Sequence, residues 1–285
     1  MQKQQGAALA AFDHLEGCAG DRQRPDHSAI IAERSRKFQA GLAGANANAA
    51  GWPLDVPSLD MLLRVRSITY LATRINGYEL VDPHGQDLPP FSAGAHISVR
   101  FAKEIVRDFS LWNDPAERTR YCIAVLREGW ASSRLHEKIR VGALVAGSAP
   151  RNNFPLAVAA ERYLLIAGGI GITPIMAMIA ELRRRRAEFQ VHYCTRSPDE
   201  TAFLDDLAVL AALGRIQFHH DGGDPARGLD IIATLRECRP GTHLYCCGPT
   251  GMMAAATSAS AHWPAGSVHF EFFAGPNAVA PMVPE

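Results

Sequence analysis

The chain has 285 residues, enough for about two domains that each bury a core of their own. Its 29 lysines and arginines balance 29 aspartates and glutamates, so no net field draws it to nucleic acid or to an anionic membrane, and neither is expected as a partner. No apolar run approaches the roughly 20 residues that span a bilayer, and residues 1–10 lack the basic start and apolar segment of a secretory signal, so the expectation is a cytoplasmic protein.

The six cysteines form neither a CxxC nor a CxxxxCxxC pattern, which leaves no disulfide frame and no encoded iron–sulfur cluster. None of the eleven histidines shows metal spacing, and the adjacent His219 and His220 would point to opposite faces of a strand; no metal site is expected.

Residues 1–57 are rich in Ala and Gly and carry one short helical pattern, Ser28 to Leu42, with Ile30, Ile31, Phe38 and Leu42 on a loose face. They read as a weakly structured extension or a docking arm, joined by the linker GANANAAGWP. Residues 58–157 change texture to short β-rich pieces: MLLRVRSITYLA, then GYELVDP after an expected Asn76-Gly77 turn, then AHISVRF, VRDFSLWN and RYCIAVLRE. That spacing predicts an antiparallel barrel that closes near Pro155, with a short helix from Ala131 to Ile139 capped by Ser132 or Ser133.

Residues 158–273 alternate strand and helix from YLLIA to SVHFEFF, which predicts a parallel doubly wound sheet with ligands at the carboxyl ends of its strands. Its first unit, Tyr163 to Met178, is an apolar strand followed by Gly168, Gly169 and Gly171 and a helix with Pro174 in its first turn. Glycines there let a ligand approach the backbone, and the free N–H groups of the helix start favour an anion such as a pyrophosphate. The spacing is GGxG followed by ITP rather than GxGxxG, so the turn alone leaves a purely packing role open. Arg183 to Arg186 fall at the C-terminal half of that helix and read as a solvated face that suits the dipole. Residues 274–285 form an apolar, proline-containing tail.

Four stretches follow in fixed order: RDFSLWNDP from Arg107, GWASSRLH from Gly129, GGIGITP from Gly168 and YCCGPTGMM from Tyr245, with HFEFF at the end. Together, across Met61 to Phe273, they resemble the ferredoxin-reductase-like flavoproteins, most closely the phthalate dioxygenase reductase branch. The resemblance implies a flavin-binding barrel followed by a nucleotide-binding domain, with FMN rather than FAD and NADH rather than NADPH. Single electrons would pass to an iron–sulfur ferredoxin or an oxygenase component, in a multisubunit complex or through a cluster domain that relatives often carry beyond the phenylalanine.

By the same resemblance, Arg107 pairs with the flavin phosphate while Asp108, Phe109, Ser110, Leu111, Ala124 and Val125 line the flavin, and Ser132 and Ser133 hold phosphate at the helix start. Trp130 departs from the branch, where an arginine is common. Gly168, Gly169, Gly171, Thr173 and Pro174 meet the nucleotide; Thr195, Arg196 and Ser197 read the adenosine ribose, which leaves NADPH open. Cys247, followed by Gly248 and Pro249, brings a thiol to the hydride path, and Phe272 and Phe273 cover the flavin face. Ser110, Cys247 and Phe273 are the implied catalytic residues. Two alternatives stay open: a docking subunit of a monooxygenase complex, and an FAD-containing ferredoxin reductase.

Overall fold

The computed structural model describes residues 58–102 and 105–273. The extension with its Ser28 to Leu42 helix and the tail from residue 274 lie outside the described residues.

Six strands form the first sheet: β1 (Met61–Ala72), β2 (Ile75–Val81), β3 (His96–Ala102), β4 (Ile105–Ser110), β5 (Tyr121–Leu126) and β6 (Leu144–Gly147). Their order is β4-β3-β6-β1-β2-β5, with every neighbouring pair antiparallel. The edge strands supply one interior, since Phe109 of β4 packs on the same apolar cluster as Tyr121, Ile123 and Val125 of β5. A sheet whose two edges bury against a common core has curled into a barrel.

The hairpin between β1 and β2 departs from the expectation of an Asn76-Gly77 turn. Asn76 and Gly77 lie within β2, opposite Tyr70 and Thr69, and the reversal falls at Thr73-Arg74, between the paired Ala72 and Ile75. Arg74 takes the left-handed conformation (φ 65°) there. Gly77 serves packing instead, because a β-carbon on it would lie 3.1 Å from the Leu71 side chain. Helix α1 (Gly129–Lys138) starts earlier than expected, and neither Ser132 nor Ser133 caps it; Ser132 sits inside the helix, where its hydroxyl accepts from the Glu128 N–H at 2.7 Å.

The second sheet holds β7 (Arg162–Gly168), β8 (Glu188–Thr195), β9 (Ile216–His220), β10 (Thr242–Cys247) and β11 (Val268–Glu271) in the order β11-β10-β7-β8-β9, all parallel. Helices α2 (Ile172–Arg185), α3 (Leu204–Ala212), α4 (Ile231–Leu235) and α5 (Thr250–Ala259) connect them, which makes this the expected doubly wound domain. The arginine run is only in part a solvated face. Arg184 and Arg185 both donate to the carboxylate of Glu181, itself buried, at 2.6–3.1 Å, and Arg186 ends α2 in the left-handed region.

The two domains share a core. Ala72, Ile75 and Ala124 of the barrel are buried in one cluster with Leu165, Val191 and Tyr245 of the second sheet and Ile175 of α2. Phe154 packs edge-on against Tyr245 (5.4 Å between ring centres) and Trp112 against Phe203 (4.9 Å). The connecting segment is clamped as well: the Tyr245 hydroxyl accepts from the Ala157 N–H at 2.7 Å, and the Tyr163 hydroxyl donates to the Ala157 carbonyl at 2.7 Å. Tyr245→Phe strands the Ala157 N–H in a half-buried setting and should cost about 1–3 kcal/mol, measured as a lower urea midpoint at unchanged m-value.

Candidate functional site

The order of the parallel sheet reverses direction between β7 and β10, and chains of this kind open a crevice at the carboxyl ends of the strands where that happens. Here the two strand ends are pressed together. A β-carbon on Gly171 would lie 2.2 Å from the Cys247 carbonyl oxygen; on Gly168, 2.5 Å from Pro249 Cδ; and on Gly248, 3.1 Å from the Gly168 backbone. Glycine is the one residue that fits each position. Gly169 differs: its φ of 54° is left-handed, but a β-carbon would meet nothing within 4 Å, so the backbone there faces open space.

Gly171 caps α2 and Pro249 caps α5, each without a side-chain hydrogen bond to the helix start. At α2 the Ile172 N–H is taken by the preceding turn and Pro174 has none, so the start of α5 is the more open of the two for an anion such as a pyrophosphate. The Thr173 hydroxyl is spent on the Ile170 carbonyl at 3.0 Å, and Pro174, buried beside it, lacks an N–H. At the end of β8 the Thr195 hydroxyl is engaged by Thr201 (2.7 Å) and His220 (3.0 Å), which fixes the turn, while Arg196 is exposed and Ser197 half-buried.

From the barrel, β4 reaches this crevice. Alternation sets His96, Ser98, Asp108 and Ser110 on one face of the β3–β4 pair and Ile97, Val99, Arg107 and Phe109 on the other. Ser110 is buried and donates to Glu271 Oε2 at 3.3 Å, across 161 residues of sequence. Glu271 ends β11, directly beside Cys247 in register. Ser110, Cys247 and Glu271 thus come from the barrel, the strand end after the switch point and the sheet edge to one place.

Burial pushes the Glu271 carboxyl up to about 7, against the opposing effect of the Ser110 hydroxyl. The Cys247 thiol, fully buried, is held well above its usual value by burial and by the neighbouring Glu271, so it stays protonated. Glu271 is the residue that sequence reasoning missed. The signal was present as a carboxylate set among aromatics in HFEFF.

The remaining residues fall into groups. Arg107 is exposed and, among the described residues, spends one hydrogen bond on the Val106 carbonyl at 2.8 Å; Glu104 lies outside those residues. Asp108 pairs instead with Arg151 at 3.3 Å and with the Ser98 hydroxyl. Leu111 and Val125 are buried in the barrel core and Ala124 in the shared core. Ser132 and Ser133 are half-buried on α1, and Trp130 is exposed with the Arg134 guanidinium 5.7 Å above its ring. Phe272 and Phe273 are exposed just beyond Glu271.

Residues 165–258 match the family model described as an oxidoreductase NAD-binding domain. A phthalate dioxygenase reductase from Burkholderia cepacia is 40% identical over 219 residues, which cover 75% of this chain and 68% of that protein. The chain belongs to the phthalate dioxygenase reductase family. A tert-butanol monooxygenase / tert-amyl alcohol desaturase reductase subunit from Aquincola tertiaricarbonis is 50% identical over 232 residues, covering 80% of this chain and 68% of that one. The solved phthalate dioxygenase reductase, described as a modular structure for electron transfer from pyridine nucleotides to a 2Fe-2S centre, aligns with a TM-score of 0.73 at 40% identity over 77% of this chain and 70% of its own. The chain spans about two thirds of the length of these relatives. As a member of the phthalate dioxygenase reductase family it is an oxidoreductase that binds a flavin and a nicotinamide nucleotide.

Two substitutions separate packing from strain at the crevice. Gly171→Ala drives a methyl into the Cys247 carbonyl and should cost about 1–3 kcal/mol, whereas Gly169→Ala meets no atom and should cost about 1 kcal/mol of backbone strain; urea unfolding of both variants checks the ranking. Glu271 sets a pH dependence with a definite sign. Its folded carboxyl titrates near 7 against 4.5 when unfolded, so the folded state holds the extra proton and stability falls as pH rises through that window. Glu271→Gln should therefore leave stability unchanged at pH 4 and raise it by up to about 3 kcal/mol at pH 8, read from denaturation midpoints at the two pH values.

Proposed function

We propose that this chain is the reductase of an oxygenase system: NADH delivers hydride to FMN, and electrons leave singly to an iron–sulfur protein that feeds an oxygenase or demethylase. The observation that carries the proposal is the contact of Ser110 with Glu271 beside Cys247, because it joins the barrel to the carboxyl end of the nucleotide sheet at one point.

The residues present fit both groups. Arg107, with its guanidinium turned to solvent, and the start of α1 with Ser133 would hold the flavin phosphate, while Ser110 would flank the ring; the Ser132 hydroxyl is spent on the Glu128 backbone, and Phe109 packs on the barrel core from the other face of β4. A monophosphate held in this way needs no adenine pocket, which favours FMN over FAD. Gly169 and Gly171, with the uncapped start of α5 beside them, would take the pyrophosphate. Arg196 would meet the adenosine end. The Thr195 hydroxyl is already spent, and the Asp221 N–H bonds the Thr195 carbonyl, so its carboxylate stands close to this strand end and works against a 2′-phosphate, in favour of NADH.

The flavin supplies the conversion of a two-electron hydride into single electrons. The chain supplies geometry and a proton. The Ser110 hydroxyl, whose hydrogen goes to Glu271, holds that carboxyl at the crevice and offers its own oxygen there as an acceptor. Glu271 titrates near pH 7 and so both holds a proton for hydride uptake and releases it afterwards. The Cys247 side chain, kept as a neutral thiol, fills the approach without a reactive charge, and Phe272 and Phe273, exposed just after Glu271, would cover the flavin face.

Purified protein reconstituted with flavin should retain FMN in preference to FAD and bleach with NADH faster than with NADPH; protein that binds neither flavin, or whose flavin is not bleached, refutes the proposal. Arg107→Gln should weaken flavin retention about tenfold or more, the loss of charge-assisted phosphate bonds. Cys247→Ala should keep flavin yet slow NADH-dependent bleaching by roughly tenfold, since it disturbs only the approach of the reacting groups.

A further inference from the structure

Parallel strands covered on both faces are ordinarily apolar throughout. One face of this sheet breaks that rule at its amino end. Gln190 and His192 of β8 stand opposite Leu164 and Ile166 of β7, and Thr242 of β10 opposite Arg162, all on the face that α4 and α5 cover. The cover is incomplete because α4 has five residues, against fourteen in α2 and ten in α5. What remains is a cavity of about 700 Å³, within the size range of ligand pockets, floored by these polar side chains and walled by Trp263. It lies at the end of the strands opposite to Ser110, Cys247 and Glu271, none of which lines it.

Its chemistry is that of an anion site. Arg162, Arg186, Arg215 and Arg239 line it, with Glu188 and Glu237; the Arg215 guanidinium lies 5.6 Å over the Phe189 ring and donates to the Phe189 carbonyl at 3.4 Å. Glu188 is spent on Arg162 at 3.4 Å; among the described residues no carboxylate pairs with Arg186, Arg215 or Arg239. Gln190 Nε2 and Thr242 Oγ1 are buried with no hydrogen-bond partner among the described residues. Leaving such groups unmet is costly, and native interiors pair nearly all of them. His192 bonds His219 at 3.0 Å and, held down to about 4 by burial, adds no charge. Guanidiniums in excess, with an amide and a hydroxyl unmet, suit oxygen acceptors.

We propose that this cavity is a second binding site, separate from the redox crevice, for a small organic anion whose carboxylate or phosphate oxygens bridge Arg186, Arg215 and Arg239. Isothermal titration of the full chain with its flavin bound, using citrate and inorganic pyrophosphate as separate probes at an ionic strength fixed with NaCl, tests it. Saturable binding of at least one probe is expected, weakened about tenfold by Arg239→Gln and by Arg186→Gln as charge-assisted bonds are lost, with NADH-to-ferricyanide turnover unchanged in both variants. Citrate alone binding identifies carboxylate as the ligand chemistry, pyrophosphate alone phosphate. The proposal is overturned if neither probe binds saturably, or if binding persists undiminished in both arginine variants, which would place it at the nucleotide crevice.

Discussion

Everything at the redox crevice depends on the apolar core that the barrel and the parallel sheet hold in common. Ala72, Ile75 and Ala124 are barrel residues by sequence position, yet they are buried with Leu165, Ile175 and Tyr245. Removing that surface from water is worth roughly 25 cal/mol per Å², far more than a single 3.3 Å hydrogen bond such as Ser110 to Glu271 contributes. The polar contact therefore does not hold the domains together. The core does, and the polar contact registers where it has put them.

The same burial that orients the domains also sets the chemistry. Glu271 titrates near neutrality because the seam withdraws it from water, and among the described residues no positive charge offsets that. At the strand ends a different constraint operates, of backbone against backbone: Gly168, Gly171 and Gly248 close the gap between β7 and β10 to a distance that admits no side chain. The helices that follow are brought side by side with their N-termini uncapped. Rigid packing below and open donors above are two results of one set of glycines.

Much of this was legible in the residues. The apolar run Tyr163 to Ala167 with its glycines and Pro174 reads as strand, turn and helix because each step has a local cause, and Arg107 to Ser110 alternates as a strand should. What failed was decided by partners distant in sequence. Asn76-Gly77 carries a strong turn signal, yet cross-strand pairing drew both residues into β2 and moved the reversal to Arg74. The strand Leu144–Gly147 is four residues long and left no period to detect. Glu271 carries one local signal, a carboxylate among aromatics, but its meaning comes from a serine 161 positions earlier and a cysteine on the adjoining strand.

The buried thiols carry a consequence for durability. Cys246, pushed up to about 12, and Cys247, held well above its usual value by burial, remain as thiols rather than thiolates at any physiological pH, and both are sealed from solvent. It is the thiolate that peroxide attacks, so these sulfurs enter the oxidation ladder very slowly. The sulfur at the heart of this crevice is thus kept in the form least vulnerable to peroxide.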